Sequence, residues 1–175
     1  MKKNIIITGF MGTGKTTVGQ RIAQELGWQF FDLDHLIEEK EQMTISEIFQ
    51  KKRESYFRLQ EGKLFKAICP LPKTVIATGG GTLLAPDNHK LAQESGTIFC
   101  LTANLIKIAQ RLQGCQSRPL LKNSSLESNL NELLKTRESI YKSFSNQIDT
   151  SSLTPEQVTK IVLQKYEQTL NEDNS

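Results

Sequence analysis

A chain of 175 residues and 19.8 kDa has the length of one domain and can bury roughly 70% of the surface its unfolded form exposes, so a second independent domain is not expected. Hydrophobic residues at 37% and charged residues at 23% exclude a disordered chain and predict a soluble globule. Twenty-two basic against nineteen acidic residues leave a net charge of +3, which excludes the basic loading of a dedicated nucleic-acid binder and points to small anions as partners.

In chain order, Asn4-Ile5-Ile6-Ile7-Thr8, closed by Gly9, is a β-branched run of the kind buried on both faces of a parallel sheet. A helix follows from about Lys15 to Leu26, with Val18, Ile22, Ala23 and Leu26 recurring at helical spacing and Gly27 as its stop. Gln29 to Asp32 forms a second strand, and a helical stretch runs through Leu36 and Ile37. Thr44 and Glu47 have capping-box spacing and open a helical region from Ile45 to about Cys69, ended by Pro70 and Pro72. Thr74 to Thr78 and Thr97 to Leu101 are the third and fourth strands. Residues 114–125 are polar and punctuated by Gly and Pro, after which Ser124 and Glu127 cap a helix reaching about Phe144. Gln147-Ile148-Asp149 is a short fifth strand, and Thr154-Pro155-Glu156-Gln157 starts a last helix. Strands alternating with helices predict an α/β fold with a parallel sheet and helices on both faces.

Cysteine and histidine usage narrows the chemistry. Cys69, Cys100 and Cys115 form no CxxC pair and read as reduced thiols of a cytosolic protein. His35 and His89 have no partner at zinc-ligand spacing. No apolar run approaches the ~20 residues of a membrane span, and Met1-Lys2-Lys3 leads into the first strand without a signal pattern, so no membrane role and a cytoplasmic location are expected.

Gly9-Phe10-Met11-Gly12-Thr13-Gly14-Lys15-Thr16 matches GxxxxGK[ST] between an apolar strand and an amphipathic helix, the context that gives the motif meaning. Its glycines let backbone N–H groups wrap a phosphate, Lys15 reaches the β and γ phosphates, and the Thr16 hydroxyl is placed for Mg²⁺. No guanine-recognition motif Asn-Lys-x-Asp accompanies it, which favours a small kinase over a GTPase. Asp32 and Asp34 follow the second strand directly and, read as extended chain, project the same way, one toward Mg²⁺ and the other toward an acceptor hydroxyl. Helix capping is the competing role for either carboxylate.

Only six of the basic residues are Arg, so their positions are informative. Arg137 falls on the apolar stripe Leu130, Leu134, Arg137, Tyr141, where a guanidinium needs an anion, either a ligand or a protein carboxylate. Gly79-Gly80-Gly81 after a buried strand suggests close approach of a ligand to the main chain, with a plain turn as the alternative. Arg118 lies in the segment 114–124, long enough to be a mobile lid, and Phe49 and Phe57 are candidate walls of an apolar pocket or simple core.

The ordered set of Gly9 to Gly19, Asp32-Leu33-Asp34, Phe57-Arg58 with Glu61, Gly79-Gly80-Gly81, Arg118-Pro119-Leu120-Leu121 and Arg137 closely resembles the shikimate kinase family over essentially the whole chain. That resemblance implies a three-layer P-loop kinase fold with a five-stranded parallel sheet of order 2-3-1-4-5, one kinase domain over 1–175, a substrate-binding helical region at about 33–70 and a mobile lid. It implies a monomer that uses ATP and Mg²⁺ to phosphorylate the 3-hydroxyl of shikimate, in aromatic amino acid biosynthesis. Residue by residue, it implies catalytic roles for Lys15, Asp34 and Arg118, and nucleotide contacts from Gly12, Thr13, Gly14, Lys15, Thr16, Thr17, Arg111 and Arg118. Thr16 and Asp32 become the metal partners, and Asp34, Arg58, Gly80, Gly81, Arg137, Phe49, Phe57 and Pro119 the shikimate site. One departure concerns adenine: the family often carries a basic residue in the loop after the last strand, and Asp149 to Pro155 has none, which leaves Arg111 to stack on the base. A gluconate or nucleoside-monophosphate kinase would share the phosphate loop without requiring Arg58 and Arg137 together, and a regulatory nucleotide-binding protein would keep the pocket but lose turnover, against which intact Lys15, Asp34 and Arg118 argue.

Overall fold

In the computed structural model, which describes residues 4–113 and 126–172, β1 (Asn4–Gly9) is the central strand of a five-stranded parallel sheet. β3 (Thr74–Ala77) lies on one side of it and β4 (Gly96–Thr102) on the other. β2 (Gln29–Asp32) pairs outside β3 and β5 (Gln147–Asp149) outside β4, giving the expected order β2-β3-β1-β4-β5. Period two along β1 sends Ile5 and Ile7 to one face and Ile6 to the other, and all three are fully buried. At about 1.5–3 kcal/mol for each buried side chain of this size, that strand alone anchors both layers.

On the Ile5 and Ile7 face lie α1 (Lys15–Leu26) and α7 (Pro155–Glu172), which contribute Val18, Ile22, Val158, Val162 and Tyr166 to one core. Gly27 ends α1 in the left-handed conformation at φ 64°, with its N–H capping the Ala23 and Gln24 carbonyls. The Ile6 face is covered by α4 (Pro86–Ser95), α5 (Leu105–Leu112) and α6 (Leu126–Ser143) together with the end of α3. α4 buries only Asn88 and Ala92, so apolar periodicity does not announce it, whereas Leu105, Ile108, Ala109 and Leu112 of the eight-residue α5 do recur at helical spacing.

α2 (Leu33–Glu41) and α3 (Ile45–Ile68) project from the sheet and share a small core of Ile37, Ile48 and Phe57. The expected Thr44–Glu47 capping box is present: the Thr44 hydroxyl accepts the Glu47 N–H at 3.3 Å, and Glu47 accepts the Thr44 N–H at 2.9 Å. α3 is not one straight rod. Arg53 sits inside it at φ 71°, ψ 161°, a conformation that costs a non-glycine residue on the order of 1–3 kcal/mol, and it separates a short first segment from the one carrying Phe57, Arg58 and Glu61. No helix among the described residues is long and apolar enough to cross a membrane.

Candidate active site

The loop from Gly9 to α1 takes its shape from Gly12 at φ 75° and Gly14 at φ 97°, values that other residues adopt only with strain. Thr13 and Lys15 both donate to the Phe10 carbonyl, at 2.7 and 3.0 Å, which draws the loop into a tight ring ahead of the helix. A cavity of about 380 Å³ opens beside it, lined by Gly12, Thr13, Gly14, Lys15, Thr16 and Thr17 together with Arg111. All of these are expected nucleotide residues. Arg118, the remaining one, lies outside the described residues, as do Pro119, Cys115, the Ser124 cap and the segment 114–124.

Thr16 and Asp32 come together as expected, the Thr16 hydroxyl donating to Asp32 Oδ2 at 2.6 Å. Two hard oxygens at the helix N-terminus suit Mg²⁺, which takes few protein ligands beside phosphate and water. Among the described residues no cluster of three or more His, Cys, Asp or Glu forms a closed metal cage.

The extended-chain reading of Asp32 and Asp34 does not hold. Asp32 is the N-cap of α2, its Oδ1 accepting the His35 N–H at 3.2 Å, and Asp34 already belongs to the first helical turn. The helix bends the chain away, so period two ends at Asp32. Asp34 nevertheless reaches the glycine run. Both Asp34 Oδ1 and Glu61 Oε1 come within 2.7 Å of the point where a Cβ on Gly79 would stand, so a side chain there would have to displace both carboxylates.

Arg58 and Arg137 bracket the same run from different helices. Arg58 lies against Gly81, its Nη1 only 2.5 Å from a Cβ built there, and Arg137 Nη1 lies 3.4 Å from the corresponding point on Gly80. The space over Gly81 is thus taken by the protein's own Arg58, while Arg137 stands at ordinary contact distance from Gly80. Arg58 is held by Glu61 at 2.9 Å and Glu54 at 3.0 Å. Burial pulls its guanidinium down, but Glu61 and Glu54 outweigh that and raise it overall. Glu61 is 1% exposed and also accepts the Thr82 hydroxyl at 2.7 Å. Glu61 was legible in the sequence only as a motif member, although its spacing of three from Arg58 on one helix face signals the ion pair.

Arg137 is 8% exposed, and among the described residues no carboxylate lies within ion-pair distance of it. Its neighbour is Tyr141, whose hydroxyl donates to the Gly80 carbonyl at 2.5 Å. Burial pushes that phenol up while Arg137 pulls it down, and the net shift is upward, which keeps the hydroxyl protonated as a donor. Phe49 and Phe57 stack edge to face at 5.2 Å, with Phe57 in the α2–α3 core and Phe49 half-exposed, so only Phe49 retains a free edge for a pocket wall.

Arg111 turns toward the phosphate loop, donating to the Gly12 carbonyl at 3.1 Å and to the Thr150 hydroxyl and carbonyl at 3.0 and 2.7 Å. Thr150, in the loop after β5, was not among the expected site residues, and nothing in its sequence context marks it. The same loop and α5 border a shallow depression in which Lys107 and Arg111 supply the basic charge that 151–154 lacks.

A phosphate loop between β1 and α1, at the carboxyl edge of a 2-3-1-4-5 parallel sheet, defines a P-loop kinase. The shikimate kinase family profile matches residues 11–167. A shikimate kinase of Thermodesulfovibrio yellowstonii is 45% identical over 169 residues, covering 97% of this chain and 98% of that protein, and one of Geobacter sulfurreducens is 42% identical over 89% and 86%. A solved shikimate kinase of Acinetobacter baumannii, in complex with shikimate, superposes with a TM-score of 0.90 at 33% identity, covering 95% of this chain and 94% of the other. With matches of this extent, the chain belongs to the shikimate kinase family and is an ATP-dependent kinase.

Proposed function

We propose that this kinase transfers the γ-phosphate of ATP to the 3-hydroxyl of shikimate, giving shikimate 3-phosphate and ADP, from one domain acting as a cytoplasmic monomer. The observation that carries the substrate is the pair Arg58 and Arg137 on Gly80 and Gly81, since a buried guanidinium beside a glycine backbone fits a small carboxylate. Buried free thiols at Cys69 and Cys100 support the reducing compartment.

Lys15 and the loop N–H groups hold the β and γ phosphates, where negative charge shifts as the bond to the leaving oxygen breaks. Thr16 and Asp32 would hold Mg²⁺, which neutralises phosphate charge when bound. Asp34, at the start of α2 and against Gly79, holds the acceptor hydroxyl and takes its proton as the oxygen attacks. Arg58, fixed by Glu54 and Glu61, and Arg137 take the carboxylate, with Phe49 and Pro119 on the apolar side. Arg118 acts on the transferring phosphate, as the family resemblance implies, with 114–124 as lid.

A coupled ADP-release assay with shikimate, gluconate and nucleoside monophosphates as acceptors tests this. Release with shikimate alone is expected. Turnover of another acceptor in its place would overturn the substrate, and ATP binding without turnover of any of them would leave a regulatory nucleotide-binding protein.

A further inference from the structure

Thr150 makes contacts that its position in a loop does not require. It is 2% exposed, and its backbone N–H is already satisfied by the Thr102 carbonyl at 2.8 Å. Its hydroxyl lies 3.0 Å from the Thr13 carbonyl and 3.0 Å from the Thr102 carbonyl, and it accepts from Arg111 Nη1 at 3.0 Å. A hydroxyl has one hydrogen to give. Because Thr102 already receives the Thr150 N–H, the Thr13 carbonyl is the acceptor that needs it.

The consequence follows from peptide planarity. The Thr13 carbonyl shares its peptide unit with the Gly14 N–H, and the Gly12 carbonyl, held by Arg111 at 3.1 Å, shares its unit with the Thr13 N–H. In a trans peptide the two groups point in opposite directions. Anchoring both carbonyls to α5 and the β5 end therefore turns both N–H groups away from that wall. Gly12 and Gly14, at φ 75° and 97°, leave these units otherwise loosely determined, since glycine adopts many conformations at low cost.

We propose that Thr150 is a positioning residue for the nucleotide phosphates: its hydroxyl, with Arg111 clamped on it, fixes the orientation of the Thr13 and Gly14 amides that receive them. This rests on the phosphate-loop assignment under Proposed function. Thr150 touches no phosphate itself. It ties the loop to β4 and to the last strand, so that the amides are aimed before the nucleotide arrives.

Thr150→Val keeps the shape and removes both the donor and the acceptor, while Thr150→Ser keeps them. By calorimetry, the Val variant should bind ADP about tenfold more weakly, because the buried Thr13 carbonyl loses its donor and Arg111 loses one of three acceptors. It should lose a similar factor for tripolyphosphate, a probe with no base, and keep shikimate affinity; the Ser variant should stay within about twofold of the parent, the scatter expected where the bond survives. Unchanged ADP affinity in the Val variant overturns the proposal. So does a loss for ADP with tripolyphosphate unaffected, which would confine Thr150 to the base side through Arg111. Failure of the Ser variant to restore affinity overturns it too, since shape rather than the hydroxyl would then be responsible. If Thr150→Val does not fold, Thr150→Ala removes the same hydroxyl and carries the same comparisons. Should the parent itself bind neither ADP nor tripolyphosphate, the phosphate-loop assignment fails rather than the role of Thr150.

Discussion

The two sides of the site are built in opposite ways. On the phosphate side, the residues from Gly9 to Thr17 are contiguous, and one strand, one loop and one helix place them. On the acceptor side, Asp34 comes from α2, Arg58 and Glu61 from α3, Gly79 to Gly81 from the turn after β3, and Arg137 and Tyr141 from α6. Local backbone geometry sets the path of the first, with Arg111 and Thr150 holding two of its carbonyls from outside, whereas only the completed fold brings the residues of the second together at all. Substitutions on the phosphate side should therefore change chemistry with little effect on the acceptor's affinity, and those on the acceptor side should separate the two ligands in the opposite sense.

The largest effect that would sharpen this contrast is expected at Lys15 and Asp34. Lys15→Ala should lose ~3 kcal/mol of transition-state stabilisation, about 100-fold in kcat, with shikimate affinity retained. Turnover within about threefold of the parent would remove the lysine from the reaction. Asp34→Asn should also cost about 100-fold or more in kcat, while ADP still binds in calorimetry. A collapse of nucleotide affinity there would instead move Asp34 to the metal side and erase the boundary between the two regions.

Next in size is Arg137→Ala, which should weaken shikimate binding by about 30-fold or more by leaving a buried carboxylate without its partner, and leave ADP affinity unchanged. Equal losses for both ligands would show a structural arginine. Glu61→Gln should follow, at about tenfold in shikimate affinity, because Arg58 then keeps only the exposed Glu54 as counter-charge. If shikimate affinity is untouched while the melting temperature falls, Glu61 serves the fold alone.

The smallest effect should come from the cap on the acceptor side. Thr44→Ala removes the hydroxyl that receives the Glu47 N–H and should cost about 1 kcal/mol, a melting shift of about 2–4 °C for a chain of this size, with kcat unchanged. A marked fall in kcat would mean that the entry into α3 is coupled to the reaction.

The contrast also explains what could be read from the chain alone. β1, α1, β2 and the phosphate loop were legible because periodicity, a glycine stop and a spaced motif all act within a few residues. So was the sheet order, through family resemblance. Only the direction of Asp34 differs from the extended-chain reading, because the N-cap at Asp32 switches the chain from extended to helical within one residue. The kink at Arg53 left no trace, since its positive φ falls on a residue type that does not signal it. Thr150 was invisible for a different reason: its partner Thr13 is 137 positions away, and a threonine after a strand looks like any other loop residue.

The central position of β1 has one more consequence, for the growing chain. Ile5, Ile6 and Ile7 are made well before the neighbouring strands, which begin at Thr74 and Gly96. Synthesis must pass Thr102 before the middle of the sheet can close on both sides. Until then α1 can cover the Ile5 and Ile7 face, but β1 has no neighbouring strand, and pairings this distant in sequence slow folding for a chain of this size.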